Sequence, residues 1–169
     1  SVRTRNQRLA AIRAFARYVG SRDPVLVEWC GHIRAIASKK AMPPAIGWLS
    51  RAEMDAMLAV PDRRTSQGRR EYALLLFLYN TGARVSEAVQ LRVRDLNLAR
   101  ARGGHDLATL LGKGGKVRQC PLWPETEQIL TAEIHGRAAD AAVFVSRLGE
   151  QFTRFGVYRL IERCALQVP

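Results

Sequence analysis

The sequence predicts a mainly α-helical protein with a small antiparallel β-sheet, and three observations carry this prediction. Residues 4–19 repeat apolar side chains every three or four positions, which places them on one face of a helix. Residues 72–79 are apolar at every position, which is too short for a membrane span and typical of a buried helix. Residues 107–111 and 116–122 have strand-like patterns on either side of a glycine-rich turn, which favours a hairpin.

Other stretches complete this outline. A helix is predicted over residues 24–38, with Asp23 as its N-cap. Its predicted packing residues are Val25, Val27, Trp29, Ile33 and Ile36. Helices are also predicted over residues 124–134 and 153–164, the second basic and amphipathic, with a short strand or extended stretch over residues 142–146.

Two consecutive prolines mark a break in the first third of the chain. They lie in the segment KKAMPPAIG and end any helix there, so residues 41–47 are assigned to a linker. The chain then divides into a first domain over residues 1–40 and a second over residues 48–169. Ser50 and Glu53 have the S-x-x-E spacing of a capping box and predict the first helix after the linker.

The charge balance indicates a polyanionic partner. The chain has 27 Lys and Arg against 15 Asp and Glu, a formal net charge of +12. Residues 1–40 alone carry nine basic and two acidic side chains. Nucleic acid fits this surplus better than an anionic membrane, because arginine dominates and no lysine-rich tail or amphipathic anchor stands out. A merely basic protein without such a partner stays open as the alternative.

The cysteines predict a reduced, cytoplasmic setting. Cys30, Cys120 and Cys164 are odd in number, far apart, and form no C-x-x-C pair. Cys30 and His32 are two positions apart, but no second Cys/His pair follows at zinc-like spacing, so no metal site is expected. No run of residues approaches transmembrane length, so no membrane partner is expected either.

The turn after the apolar helix holds an arginine between two helix ends. Gly82 is predicted to end the first helix in a left-handed conformation, and Ser86 to cap the next one. Glu87, in the first turn, complements the positive end of that helix dipole. Arg84 is thereby held by two rigid elements and loses little entropy when its guanidinium binds a phosphate or carboxylate. For Arg84 alone, a surface or ion-paired arginine is the alternative.

The sequence around Arg84 resembles the first catalytic box of the tyrosine recombinases, the phage-integrase and Xer-like site-specific recombinases. That box has the pattern TG-x-R-x-x-E-x-x-x-L followed by D-[IVL], and the stretch here is TGARVSEAVQLRVRDL. The positions in register are Thr81, Gly82, Arg84, Ser86, Glu87, Leu91, Asp95 and Leu96. The family's hairpin string G-K-G-x-K-x-R-x-x-P-L corresponds to GKGGKVRQCPL, which matches Lys113 to the catalytic lysine.

The resemblance implies a role for each matched residue. Arg84 would donate hydrogen bonds to the scissile phosphate, Glu87 would support and orient that arginine, and Lys113 would protonate the departing 5′ oxygen. For Glu87, a favourable helix charge alone is the alternative. The side chains predicted to bind the DNA backbone are Arg5, Arg8, Arg13, Lys116 and Arg118, the last two with solvated charges as the alternative.

Two parts of the family pattern are missing. The second box, H-x-x-R, is absent, because His32, His105 and His135 are followed at the third position by Ala35, Ala108 and Ala138. No tyrosine can be assigned as the nucleophile, and those present are interpreted as packing residues: Tyr18, Tyr72, Tyr79 and Tyr158. We therefore expect the end of a helical core-binding domain followed by the N-terminal half of the catalytic domain, a truncated piece unable to cut DNA by itself.

By this resemblance, the parent protein would perform site-specific recombination of double-stranded DNA through a 3′-phosphotyrosyl intermediate. It would need no metal or nucleotide cofactor, act as a homo-tetramer on paired sites, and associate with the nucleoid. A non-catalytic DNA-binding relative that regulates a partner stays open, because Arg84 and Lys113 would also serve as plain phosphate ligands. A nucleotide P-loop fits poorly, since Val117 stands where that motif needs Ser or Thr. RNA binding is weaker still, because no stacking motif is present.

Overall fold

The computed structural model describes residues 1–41, 47–98 and 106–168, and the chain divides into two compact units, Ser1–Trp48 and Leu49–Pro169. The first unit contains helix α1 (Val2–Gly20), a short 3-10 turn (Pro24–Leu26) and helix α2 (Val27–Ala35). Asn6 on α1 closes this unit, because its side chain both donates to the Lys39 carbonyl at 2.8 Å and accepts from the Lys39 amide at 3.0 Å.

The predicted packing of the second helix is largely wrong within this unit. Leu9, Ala16 and Cys30 are buried, whereas Val25 is 87% exposed. Three further predicted packing residues are also exposed: Val27, Trp29 and Ile36. Two helices that pack together bury only one face of each other, and the buried face of α2 contains Cys30. The contact at Cys30 is close, because a Cβ added at Gly20 would lie 3.2 Å from the Cys30 Cβ.

The second unit contains the remaining helices of the described residues. Their bounds are α3 Arg51–Ala59, α4 Ser66–Thr81, α5 Val85–Gln90, α6 Pro124–Ile134 and α7 Arg154–Ala165. The capping box is confirmed: Ser50 Oγ accepts from the Glu53 amide, and the Glu53 carboxylate accepts from the Ser50 amide. Across the described part of the chain, no helix combines the length and the apolar character that crossing a membrane requires.

The sheet is antiparallel, with strand order β1-β2-β3. Its strands are β1 Leu96–Asn97, β2 Leu107–Leu111 and β3 Val117–Pro121. The predicted hairpin is confirmed, whereas β1 was not predicted. Residues 99–105, between β1 and β2, lie outside the described residues. The second of the two alternatives predicted for residues 142–146, an extended stretch, is the one found: the segment is buried and forms isolated bridges at Ala142 and Val145.

Helix α4 runs through the core of the second unit. Every residue from Tyr72 to Phe77 is buried, which confirms the predicted buried helix up to that point, and the Phe77 and Phe144 rings pack 5.1 Å apart. The last turn emerges to the surface, where the exposed Tyr79 ring meets Trp123 edge-on at 5.3 Å. The C-terminal end of α4 is therefore a rigid support for the turn that follows it.

Candidate active site

The end of α4 is fastened by its own side chains. Gly82 has φ +58°, the left-handed conformation that closes a helix, and its amide donates to the Leu78 carbonyl at 3.0 Å, as the sequence predicts. Thr81 donates from its hydroxyl to the Phe77 carbonyl and accepts from the Ala83 amide. These contacts fix the path of the chain toward Arg84.

Asn80 attaches the same helix end to the sheet. Its side-chain amide donates to the Pro121 carbonyl at 3.2 Å, and its carbonyl oxygen accepts from the Trp123 amide at 2.8 Å. The end of β3 and the start of α6 are therefore held beside the end of α4. The first box and the hairpin, which are far apart in sequence, are adjacent at this point.

Helix α5 begins two positions earlier than the sequence predicts. Arg84, and not Ser86, is its N-cap residue. The predicted cap at Ser86 is wrong because the helix starts at Val85, which places Ser86 inside its first turn. Glu87, at the third helical position, reaches back to the helix start: its Oε2 accepts from the Arg84 backbone amide at 2.8 Å. Glu87 therefore satisfies a free amide at the helix start and at the same time contacts the side chain of Arg84.

Glu87 is a buried carboxylate surrounded by hydrogen-bond donors, with a side chain only 2% exposed. In addition to the backbone amide, Oε1 accepts from Arg84 Nη1 at 2.9 Å. Arg118 donates from Nη1 to Oε1 at 3.1 Å and from Nη2 to Oε2 at 2.8 Å. The bonds from Arg118, followed by those from Arg84, lower the pKa of Glu87 to about 2 against the opposing effect of burial.

Arg84 is held at one point and otherwise accessible. Among the described residues, its guanidinium bonds only to Glu87, and its side chain is 69% exposed. One carboxylate faces two guanidinium groups, so the cluster of Arg84, Glu87 and Arg118 keeps a net positive charge. An exposed, pre-oriented guanidinium with spare donors suits a phosphate oxygen.

The lysine turn lies against the same carboxylate. Gly112, the residue before Lys113, is so close that a Cβ there would be 3.3 Å from Glu87 Oε1. Lys113 itself is exposed in the 3-10 turn Lys113–Gly115, and Lys116 is exposed at its end. Arg84, Glu87 and the turn that carries Lys113 thus form one cluster on the surface of the second unit.

The residues predicted to bind the DNA backbone have different surroundings. Arg5 and Arg8 are exposed on α1, but Arg13 is half-buried and donates to the Ile36 carbonyl and to Ser38 Oγ. Arg118 is not a solvated charge, because both terminal nitrogens of its guanidinium bond to Glu87. Among the residues that the structure describes, no group of His, Cys, Asp or Glu side chains is arranged to hold a metal ion.

The bond between Arg118 and Glu87 is the feature that sequence reasoning missed. In the hairpin register, Arg118 pairs with Leu110, so the two side chains share one face of the sheet. Leu110 is buried, and Arg118 therefore points toward the core and toward α5. An apolar Leu110 in the predicted strand, combined with the correct turn length, is the sequence pattern that predicts this orientation.

The similarity to known proteins extends over nearly the whole chain. A Sinorhizobium fredii protein that carries the name integrase/recombinase y4rD is 38% identical over 99% of this chain and 60% of its own length. Tyrosine recombinase XerC of Pelobacter propionicus is 30% identical over 94% of this chain and 51% of its own length. The chain thus spans little more than half the length of these curated relatives.

The fold is also similar to that of solved integrase structures. The crystal structure of a lambda integrase tetramer bound to a Holliday junction superimposes with a TM-score of 0.62 at 14% identity, covering 86% of this chain and 43% of that one. The phage integrase family model matches residues 47–168. This range is most of the chain and includes Arg84, Glu87, Lys113 and Arg118. By this match, and by the fold and first-box residues that agree with it, the chain belongs to the phage integrase family.

Proposed function

We propose that the protein containing this chain performs site-specific DNA recombination, and that the chain supplies Arg84, Glu87 and Lys113 to the catalytic site. The observation that carries this proposal is the exposed Arg84 guanidinium, held by a buried carboxylate beside the lysine turn. In this proposal, residues 1–40 end a core-binding domain, residues 41–47 are the linker, and residues 48–169 begin the catalytic domain.

The proposed chemistry is transfer of a DNA phosphoryl group. Glu87 stays ionised at neutral pH because its pKa is about 2, and it therefore holds Arg84 through a charged hydrogen bond. The free donors of Arg84 would stabilise negative charge on the non-bridging phosphate oxygens. Lys113, on an exposed turn, would donate its proton to the departing 5′ oxygen. The nucleophile is not assigned to any tyrosine of this chain.

The proposed partner is double-stranded DNA, which Arg5, Arg8 and Lys116 would contact through the phosphates. The lambda integrase relative is a tetramer on a Holliday junction, which supports a tetramer on paired sites for the whole protein. Two names, integrase/recombinase y4rD and tyrosine recombinase XerC, support recombination as the reaction. A DNA-binding regulator without catalysis remains the second candidate, because Arg84 and Lys113 would also serve as plain phosphate ligands.

DNA binding by the chain tests the role of Arg84. We expect Arg84→Ala to weaken binding to a duplex about tenfold. The slope of log K against log salt concentration should fall in magnitude by roughly one, as expected for the loss of one phosphate contact. The matched control is Arg51→Ala, which removes an arginine that is 89% exposed on the same unit and should change the affinity less than about twofold. Equal effects of the two substitutions in a fluorescence anisotropy titration would contradict a special role for Arg84.

Covalent chemistry in the whole protein separates recombinase from regulator. A duplex selected from a random pool for binding should form a covalent protein–DNA adduct with the unaltered protein. Arg84→Ala should slow adduct formation about a hundredfold or more, as expected for loss of one charge-stabilising donor group. Tight binding of the selected duplex without any adduct would favour the regulator.

A further inference from the structure

We propose that Arg118 is a positioning residue, which fastens the lysine turn to the carboxylate that holds Arg84. This inference rests on the proposed function for its consequence, but its geometry does not depend on that function. Arg118 follows the turn by a few residues on β3, whereas Glu87 belongs to α5. The bond between them therefore joins the two segments that carry the proposed catalytic side chains.

Arg118 and Glu87 form a bidentate ion pair. Arg118 donates to both carboxylate oxygens, at 3.1 and 2.8 Å, in the parallel arrangement that arginine forms with carboxylates. A lysine has a single ammonium and cannot reproduce this planar fork. Because Glu87 also receives two bonds from Arg84, any shift of Arg118 changes the position of the atom that orients Arg84.

The turn that contains Lys113 packs against this ion pair. The Gly112 amide donates to the Lys116 carbonyl at 2.7 Å and closes the turn that contains Lys113. A Cβ at Gly112 would be 3.3 Å from both Glu87 Oε1 and that same carbonyl, and 3.9 Å from Arg118 Nη1. The turn backbone thus packs directly on the ion pair, so losing the pair removes the support under Lys113.

The alternative is that Arg118 binds a DNA phosphate directly, as predicted from the sequence. Both of its terminal nitrogens are already bonded to Glu87, and its side chain is only 38% exposed, against 69% for Arg84. Arg118 uses two of its five N–H groups on Glu87, so a phosphate contact would be added to the ion pair and would not replace it. The two roles make opposite predictions for a lysine substitution, because lysine keeps the charge but loses the fork.

Hydrogen exchange tests the positioning role without DNA. We expect the Gly112 amide to exchange about tenfold faster or more in Arg118→Ala and in Arg118→Lys, while amides of residues 72–77 in α4 stay unchanged. The matched control is Gln119→Ala, on the neighbouring, exposed position of β3, which should leave Gly112 unchanged. Unchanged Gly112 exchange in both Arg118 variants would overturn the proposal. If Arg118→Ala accelerates exchange throughout the unit, Arg118→Lys decides: faster exchange confined to the turn supports the role, and uniform acceleration overturns it.

A double-mutant cycle tests the consequence for DNA. If Arg118 positions Lys113, then Lys113→Ala should weaken duplex binding severalfold less in the Arg118→Lys background than in the unaltered chain. Additive effects, with Arg118→Lys close to the unaltered chain, would instead support a direct phosphate contact and overturn the positioning role. If Arg84→Ala and Lys113→Ala both leave DNA binding unchanged, the proposed function fails, and Gly112 exchange still decides the role of Arg118.

Discussion

Replacing Glu87 by Gln should destabilise the second unit, and the loss should depend on pH in a defined way. Glutamine keeps the shape of the side chain but removes the charge that faces Arg84 and Arg118. The folded-state pKa of Glu87 is about 2, against an ordinary value of 4.5. This difference corresponds to roughly 3 kcal/mol of stabilisation at neutral pH, the amount that Glu87→Gln should remove.

The pH dependence follows from the direction of the shift. Because the folded-state pKa is lowered, the ionised carboxylate stabilises the fold above pH 4.5, and this contribution is lost as the pH falls toward 2. At pH 3 the unaltered chain should have lost about 2 kcal/mol of it, so the gap between the unaltered chain and Glu87→Gln should narrow to about 1 kcal/mol. Urea unfolding of both proteins at several pH values between 7 and 3 measures this gap.

The matched control is Glu150→Gln, which alters an exposed carboxylate of the same unit. Its free energy of unfolding should stay within about 0.5 kcal/mol of the unaltered chain across the whole pH range. A gap for Glu87→Gln that is the same at pH 7 and pH 3 would refute the reasoning, because the stabilisation would then not come from the charge of the carboxylate.

Two further substitutions test the support around the site. Gly82→Ala should cost about 1–2 kcal/mol in urea unfolding, because φ is +58° there; open space surrounds the new Cβ, so an unchanged stability would contradict the strain argument. Thr126→Val should raise the free energy of unfolding by about 1 kcal/mol, because Thr126 is buried and its hydroxyl has no hydrogen-bond partner among the described residues. A loss of stability in Thr126→Val would indicate that the hydroxyl is satisfied in solution.

Local patterns in the sequence were sufficient for most secondary structure. The capping box at Ser50 and the glycine that ends α4 each act within a few residues, and both are found where the sequence predicts them. The predicted packing of α2 failed because apolar spacing shows which face is apolar and not what covers it. The cap at Ser86 failed because the helix begins at Val85, so Ser86 lies within its first turn and Glu87 reaches back to the Arg84 amide.

The sequence by itself determined the family resemblance, the fold class, and the positions of Arg84, Glu87 and Lys113, because these depend on residue identity and spacing along the chain. Only the tertiary structure decided that Arg118 bonds to Glu87, which lies 31 residues away and on another element. That contact depends on strand register and on how the hairpin packs against α5, and a shift of one residue would turn Arg118 to the opposite face. The carboxylate that unites the site was visible in the sequence, whereas its second arginine was set by packing.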